Sequence, residues 1–175
     1  MTIYTYSPQD VVLQLGGYTV EGFADGTFIS IEPESKYFTS KRTSSGYISR
    51  TIKKTQIKKL KLSLHQTSES NSILNTLFNL DLAFADAIVP AFLKDYSTGT
   101  SIIIGQLWID SLPTMSYANG LETWDWELCF TTDIISISGG EGESAYEQFL
   151  SVLSSGIPSI LNVKQLVTTS IGDFV

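Results

Sequence analysis

Apolar and polar residues alternate singly through much of the first 66 positions, the period of a strand with one buried face. Val11, Leu13 and Leu15 alternate with Val12 and Gln14, Gly16-Gly17 turns the chain, and Tyr18–Glu21 follows. Asp25-Gly26 forms a second tight turn into Thr27–Glu32, and Pro33 ends that strand. The three segments predict a meander. Further on, Leu60, Leu62 and Leu64 alternate with Lys59, Lys61, Ser63 and His65, a strand with one wet face. Between them, Thr43–Gly46 reads as a loop tip flanked by Tyr37–Thr39 and Tyr47–Arg50. Both arms read as polar on both faces, so a hairpin over Lys36–Lys54 is expected to project from the body.

The period then changes. Ile73, Leu74, Leu77 and Phe78 share one helical stripe, and Thr67 or Ser68 can cap its start, which predicts a short helix over residues 69–80. Strands resume at Ile88–Lys94 and Ser101–Asp110, with a turn at Ser97-Thr98-Gly99. Pro90 requires either an edge position or a bulge. In Glu122–Ile137, Trp124, Trp126, Leu128 and Phe130 fall on one face, and Asp125, Glu127, Cys129 and Thr131 on the other. Gly139–Gly142 reads as a linker, followed by a helical stripe of Tyr146, Phe149, Leu150 and Leu153. Residues 159–171 fit helix and strand equally. The expected fold is therefore mainly β, an antiparallel sandwich or barrel with one short helix over residues 1–138, and a helical extension over 139–175.

Composition narrows the class. The chain has 175 residues, 42% hydrophobic and 17% charged, with 20 Phe, Tyr and Trp, which excludes intrinsic disorder. No apolar run approaches a membrane span, and Met1–Tyr6 lacks the basic and apolar regions of an export leader, so neither membrane insertion nor export is expected. Charge is segregated: −5 over residues 1–35, +9 over 36–61 and −11 over 62–175, making the net −7. The basic stretch reads as a solvated strand face, as a surface meeting the acidic surface of an identical neighbour, or as a phosphate footprint. The acidic remainder of the chain disfavours the last.

The residues that could carry chemistry are few. His65 is the sole imidazole, on the polar side of a strand and with no nucleophile-elbow motif nearby. Cys129 sits among Trp and Leu as a small packed residue, and one Cys with one His makes no zinc site. Asp125 with Glu127, and Glu141 with Glu143, are paired carboxylates, but glycosidases draw such pairs typically from separate segments at set distances, so the signal alone is weak. The glycines after 138 do not open a helix as a phosphate loop does, and no calcium-loop spacing is present. Trp108, Trp124 and Trp126 could stack a sugar, although strand spacing beside Leu and Phe reads as core or subunit interface. No enzyme and no cofactor are expected.

Several strings carry a resemblance. Tyr6-Ser7-Pro8-Gln9-Asp10-Val11, Leu15-Gly16-Gly17, Gly22-Phe23-Ala24-Asp25-Gly26-Thr27-Phe28-Ile29 and Leu62-Ser63-Leu64-His65-Gln66-Thr67-Ser68-Glu69-Ser70-Asn71 occur in order. They are followed by Phe92-Leu93-Lys94-Asp95 and by Thr123-Trp124-Asp125-Trp126-Glu127-Leu128. Over about residues 5–138 the chain resembles the tail tube proteins of contractile-tailed bacteriophages; the segment from Gly139 departs from that family. The resemblance implies a subunit of hexameric rings stacked into a hollow tube in the virion tail, made in the host cytoplasm. It implies a sheath, a baseplate or tube initiator and a tail terminator as partners, with tape-measure protein and DNA passing through the lumen without specific binding.

It also implies that the mid-chain hairpin reaches the adjacent ring, which makes Lys36, Tyr37, Phe38, Lys41, Arg42, Tyr47, Arg50, Lys53 and Lys54 contact candidates. Gln14, Glu21 and Glu32 are candidates for lining an acidic or neutral lumen, since cationic groups there would retard DNA. A non-contractile tail tube, the tube of a phage-tail-like injection system, and a carbohydrate-binding or adhesin sandwich stay open as alternatives.

Overall fold

The computed structural model describes residues 5–54, 56–131 and 134–137. Ten strands and one long helix follow in the order β1 (Val11–Leu15), β2 (Tyr18–Thr19), β3 (Ile29–Pro33), β4 (Phe38–Arg42), β5 (Ile48–Ile52), β6 (Ile57–His65), α1 (Ser70–Phe84), β7 (Val89–Asp95), β8 (Ser101–Ser111), β9 (Thr123–Thr131) and β10 (Ile134–Ser136). All pairings are antiparallel, so the mainly β architecture with one helix is the one that the hydrophobic pattern predicts. The main sheet runs β2-β1-β7-β8-β9-β6-β3, and β4 and β5 form a separate two-stranded sheet. β10 pairs with β8 in the register β9 began, Thr131 facing Gln106 and Ile134 facing Ile103. The extension over 139–175 lies outside the described residues.

The opening meander is a correction. β1 and β2 form the expected hairpin, with Leu15 facing Tyr18, but β3 does not pair with β2. It pairs with β6, at the opposite end of the strand order. The intervening segment leaves β1, where the Val20 N–H donates to the Leu13 carbonyl at 2.8 Å, and crosses to β6. There Gly22 accepts the His65 N–H at 2.9 Å and the Ala24 N–H donates to Ser63 at 3.0 Å. Residues 20–24 thus lace one edge of the sheet to the other, rolling it into a barrel. Local periodicity marks strands but cannot choose between two edges.

The inward rows fill the barrel. Leu15, Ala91 and Ile104 make one row; Ile109, Leu128 and Leu60 another; Trp126 and Leu62 a third. Leu13, Leu60, Leu62, Leu64, Leu107, Leu128 and Phe130 are fully buried, each contributing about 2 kcal/mol of transfer free energy. Trp126, Leu128 and Phe130 therefore face inward, as their alternation predicts. Lys58 also points inward, opposite Phe130, with Nζ 5.8 Å from the Phe130 ring centre and 5.6 Å from that of Tyr37. Pro90 sits at a bulge: Val89 faces Leu107 and Ala91 faces Ile104, so Pro90 opposes both Gly105 and Gln106. The missing N–H falls where the ladder is already interrupted, while the Pro90 carbonyl accepts the Gly16 N–H at 2.8 Å.

α1 is seated by polar contacts at its start. Ser68 Oγ accepts the Ser70 N–H at 3.2 Å and donates to the Glu21 carbonyl, but the N-cap position falls to Glu69, whose side chain makes no capping hydrogen bond. Ser70 Oγ donates to the same carbonyl at 3.0 Å and accepts the Glu21 N–H at 2.9 Å. The buried Trp126 Nε1–H donates to Asn71 Oδ1 at 2.9 Å. The helix runs four residues beyond the expected end, to Phe84, and stops at Ala85 in the left-handed region (φ 53°). Leu80, Leu82 and Ala83 favour helix, so propensity carries it past the point where its stripe still meets the barrel.

Candidate assembly surface

The β4–β5 hairpin is built by a tight end and a pinned base. At the tip, Thr43 N–H donates to the Tyr47 carbonyl at 2.9 Å and Gly46 N–H to the Thr43 carbonyl at 3.0 Å, with Gly46 at φ 88°. At the base, Lys53 N–H donates to the Tyr37 carbonyl at 2.9 Å. Every residue of both strands is exposed. A two-stranded ribbon is marginal in water by itself.

The register corrects the expectation of arms polar on both faces. Phe38 faces Ile52, Ser40 faces Arg50, and Arg42 faces Ile48, so these six side chains share one face. Thr39, Lys41, Ser49 and Thr51 occupy the other. The Arg50 guanidinium lies 3.7 Å from the Phe38 ring centre, stacked along that first face. One side of the hairpin therefore carries Phe38, Ile48 and Ile52 with two arginines, of which Arg50 is stacked on Phe38, and the other is hydroxyl-rich with one lysine. Ile48 is 72% exposed, and nothing in the described chain covers this face. Counting polar residues along each arm hid it; alternation within each arm, combined with a five-residue loop, was the signal.

Among the contact candidates, Phe38, Arg42 and Arg50 come together on the apolar face, while Lys41 points to the other. Tyr47 sits at the tip, and Lys36, Tyr37, Lys53 and Lys54 flank the base. The lumen candidates Gln14, Glu21 and Glu32 are all exposed but lie on three segments. Gln14 Nε2 donates to Thr19 Oγ1 at 3.4 Å, and Glu32 forms an ion pair with Lys61 at 3.4 Å. Glu21 is on the crossing segment, tied through its backbone to Ser68 and Ser70.

A second apolar surface had no counterpart in the sequence reading. Leu82 continues the line of Leu74 and Phe78 by one more turn, yet is 72% exposed, and Phe84 is 74% exposed. Leu82 stands apart from Leu80 and Phe84, which lie four residues apart and make one exposed apolar strip on another side of the helix end. Asp81 and Asp86 border it, with no basic residue in the last turn, so the partial negative charge of the helix C-terminus stays uncompensated there. Asp81 also fixes the turn, accepting the Ala87 N–H at 3.1 Å.

The residues considered for chemistry are dispersed. Cys129 is buried on the outer side of β9, and burial, reinforced by the charge of Asp110, raises its thiol above the usual range, opposite to what a thiolate nucleophile needs. His65 is half-buried at the end of β6. Asp125 accepts a hydrogen bond from Ser63, and Glu127 faces Lys61 across the ladder. Trp126 lies in the core, and Trp124 packs edge-on against Tyr117, centroids 6.3 Å apart. Among the described residues, no three His, Cys, Asp or Glu side chains group as metal ligands, and no helix is long and apolar enough to cross a membrane.

No model of a known protein family matches the chain. Solved structures similar to the chain at low sequence identity include two from contractile systems. The anti-feeding prophage cap, a tube terminating cap, is 12% identical with a TM-score of 0.46, over 80% of this chain and 95% of the other. The sheath/tube terminator of an extracellular contractile injection system, PVC, in its extended state, is 11% identical with a TM-score of 0.45, over 79% and 100%. In sequence the chain is similar to Structural protein ORF10 of Pseudomonas phage KPP10, 25% identical over 145 residues that span 78% of this chain and 84% of that protein.

Proposed function

We propose that this chain is a structural subunit of a phage tail, assembling as hexameric rings that stack into the hollow tube through which DNA leaves the virion. The observation that carries the reading is the β4–β5 hairpin. An exposed ribbon with an apolar, arginine-bearing face gains little from its own body and is stabilised once another subunit covers it. Likeness to a phage structural protein supports the virion setting. In this reading the hairpin from Lys36 to Lys54 spans adjacent rings, and neutral Gln14 and acidic Glu21 and Glu32 face the lumen, where the two carboxylates repel phosphate. Sheath, baseplate or tube initiator, and terminator proteins are its neighbours. It acts as a wall and conduit rather than as a catalyst.

The test is analytical ultracentrifugation and negative-stain microscopy of the purified protein over a concentration series. The expected result is ring-sized species that give way to tubes as concentration rises. A monomer at the highest concentration, with no rings in micrographs, refutes the reading. Rings that never stack refute the tube while leaving the ring.

A further inference from the structure

We propose that the arginine-bearing apolar face of the β4–β5 hairpin seats on the acidic apolar end of α1 in a second copy of this chain. This rests on the reading of the chain as a stacking subunit and names the surface that receives the hairpin. Both faces are uncovered in the described chain, and each has what the other lacks. On the hairpin, Phe38, Ile48 and Ile52 are interleaved with Arg42 and Arg50. On the helix, Leu80 and Phe84 lie one turn apart on one face, with Asp81 beside them, Asp86 just past the helix end and no basic residue in the last turn. Apolar contact supplies the driving force, and the two charge pairs set the orientation.

The symmetric alternatives are disfavoured by the same charges. Hairpin against hairpin sets Arg42 and Arg50 against their own copies, and helix end against helix end does the same with Asp81 and Asp86. Unlike surfaces meeting head to tail leave one free hairpin and one free helix end on every assembly, so the contact repeats without closing on itself. That is the property that stacking requires. The cation–π contact of Arg50 on Phe38 holds the guanidinium along the face before binding, which reduces the ordering cost on docking.

Two measurements on the full chain test this. In the first, Arg50→Glu and Asp86→Arg are made singly and together, all at exposed positions, and the concentration for stacking is read by sedimentation. Each single variant should need at least about tenfold more protein than wild type, and the double variant should recover most of the loss, as a close interfacial charge pair does. In the second, Ile48→Cys and Phe84→Cys chains are mixed under mild oxidation. A disulfide-linked dimer of the two is expected, and none from Ile48→Cys mixed with Thr123→Cys. Wild-type stacking with unaffected single variants and no cross-link overturns the docking site while leaving the tail-subunit reading intact; it would point to a different receiving surface or protein. A wild type that never associates overturns both.

Discussion

Replacing Asn71 with leucine tests the joint between the helix and the barrel. Asn71 Oδ1 accepts from the indole of Trp126, which is only 2% exposed, and Nδ2 donates to the carbonyls of His65 at 2.9 Å and Ser68 at 3.1 Å. Leucine keeps the branched heavy-atom shape of the amide, with methyl groups in place of the oxygen and nitrogen, and three hydrogen bonds are lost. The two carbonyls each keep a backbone partner, His65 from the Ser68 N–H at 2.9 Å and Ser68 from the Asn71 N–H at 3.2 Å. Losing the second bond at each costs about 0.5–1 kcal/mol. The indole N–H keeps none, and an orphaned buried donor costs about 1–3 kcal/mol. The sum is roughly 2–5 kcal/mol, or a fall in Tm of roughly 6–15 °C for a domain of this size. Differential scanning calorimetry reads it directly. Trp126→Phe removes the donor, so the double variant should be less unstable than the two single losses combined, by about 1 kcal/mol. An Asn71→Leu variant within about 1 °C of wild type would show that the indole finds another acceptor and that the joint does not hold α1.

Two further outcomes are expected. Gly22 has φ +77°, and a Cβ there would lie 2.6 Å from Ser68 Cβ and Oγ, so Gly22→Ala should lose about 2–4 kcal/mol in thermal or denaturant unfolding; unchanged stability would disprove the close approach of the crossing segment to α1. Asp95 is held below its ordinary value of 3.8, chiefly by the Thr98 hydroxyl at 2.7 Å and also by the Ser97 and Thr98 N–H groups. A lowered folded pKa gives stability that is fully present above the ordinary carboxylate value and lost as pH falls through the folded one. Asp95→Asn should therefore flatten the acid limb of the stability–pH curve below about pH 4; an identical acid limb would contradict the assignment.

Much of the fold was legible because it rests on short-range patterns. The alternation of Leu60, Leu62 and Leu64 and of Trp126, Leu128 and Phe130 announces two central strands whatever they pair with. The helix stripe from Ile73 to Phe78 does the same, and Pro90 announces an edge or a bulge because a residue without an N–H cannot sit in an intact ladder; the structure takes the bulge. The basic hairpin was visible as a charge run around a turn. Its surface was not, since the identity of a face depends on which residues stand opposite each other.

The sequence by itself determined that this protein is an antiparallel β domain with one helix and a basic hairpin on a mostly acidic chain. The reason is that period, turn residues and charge act within a few positions of one another. Tertiary structure alone decided that β3 joins β6 rather than β2, that the Glu21 segment laces the sheet closed, and that Phe38, Ile48 and Ile52 line up with Arg42 and Arg50. It also decided that the last turns of α1 outrun the barrel and leave Leu82 and Phe84 uncovered. Each of these depends on contacts between residues far apart in sequence or on where a neighbouring element ends, and neither is encoded in local period.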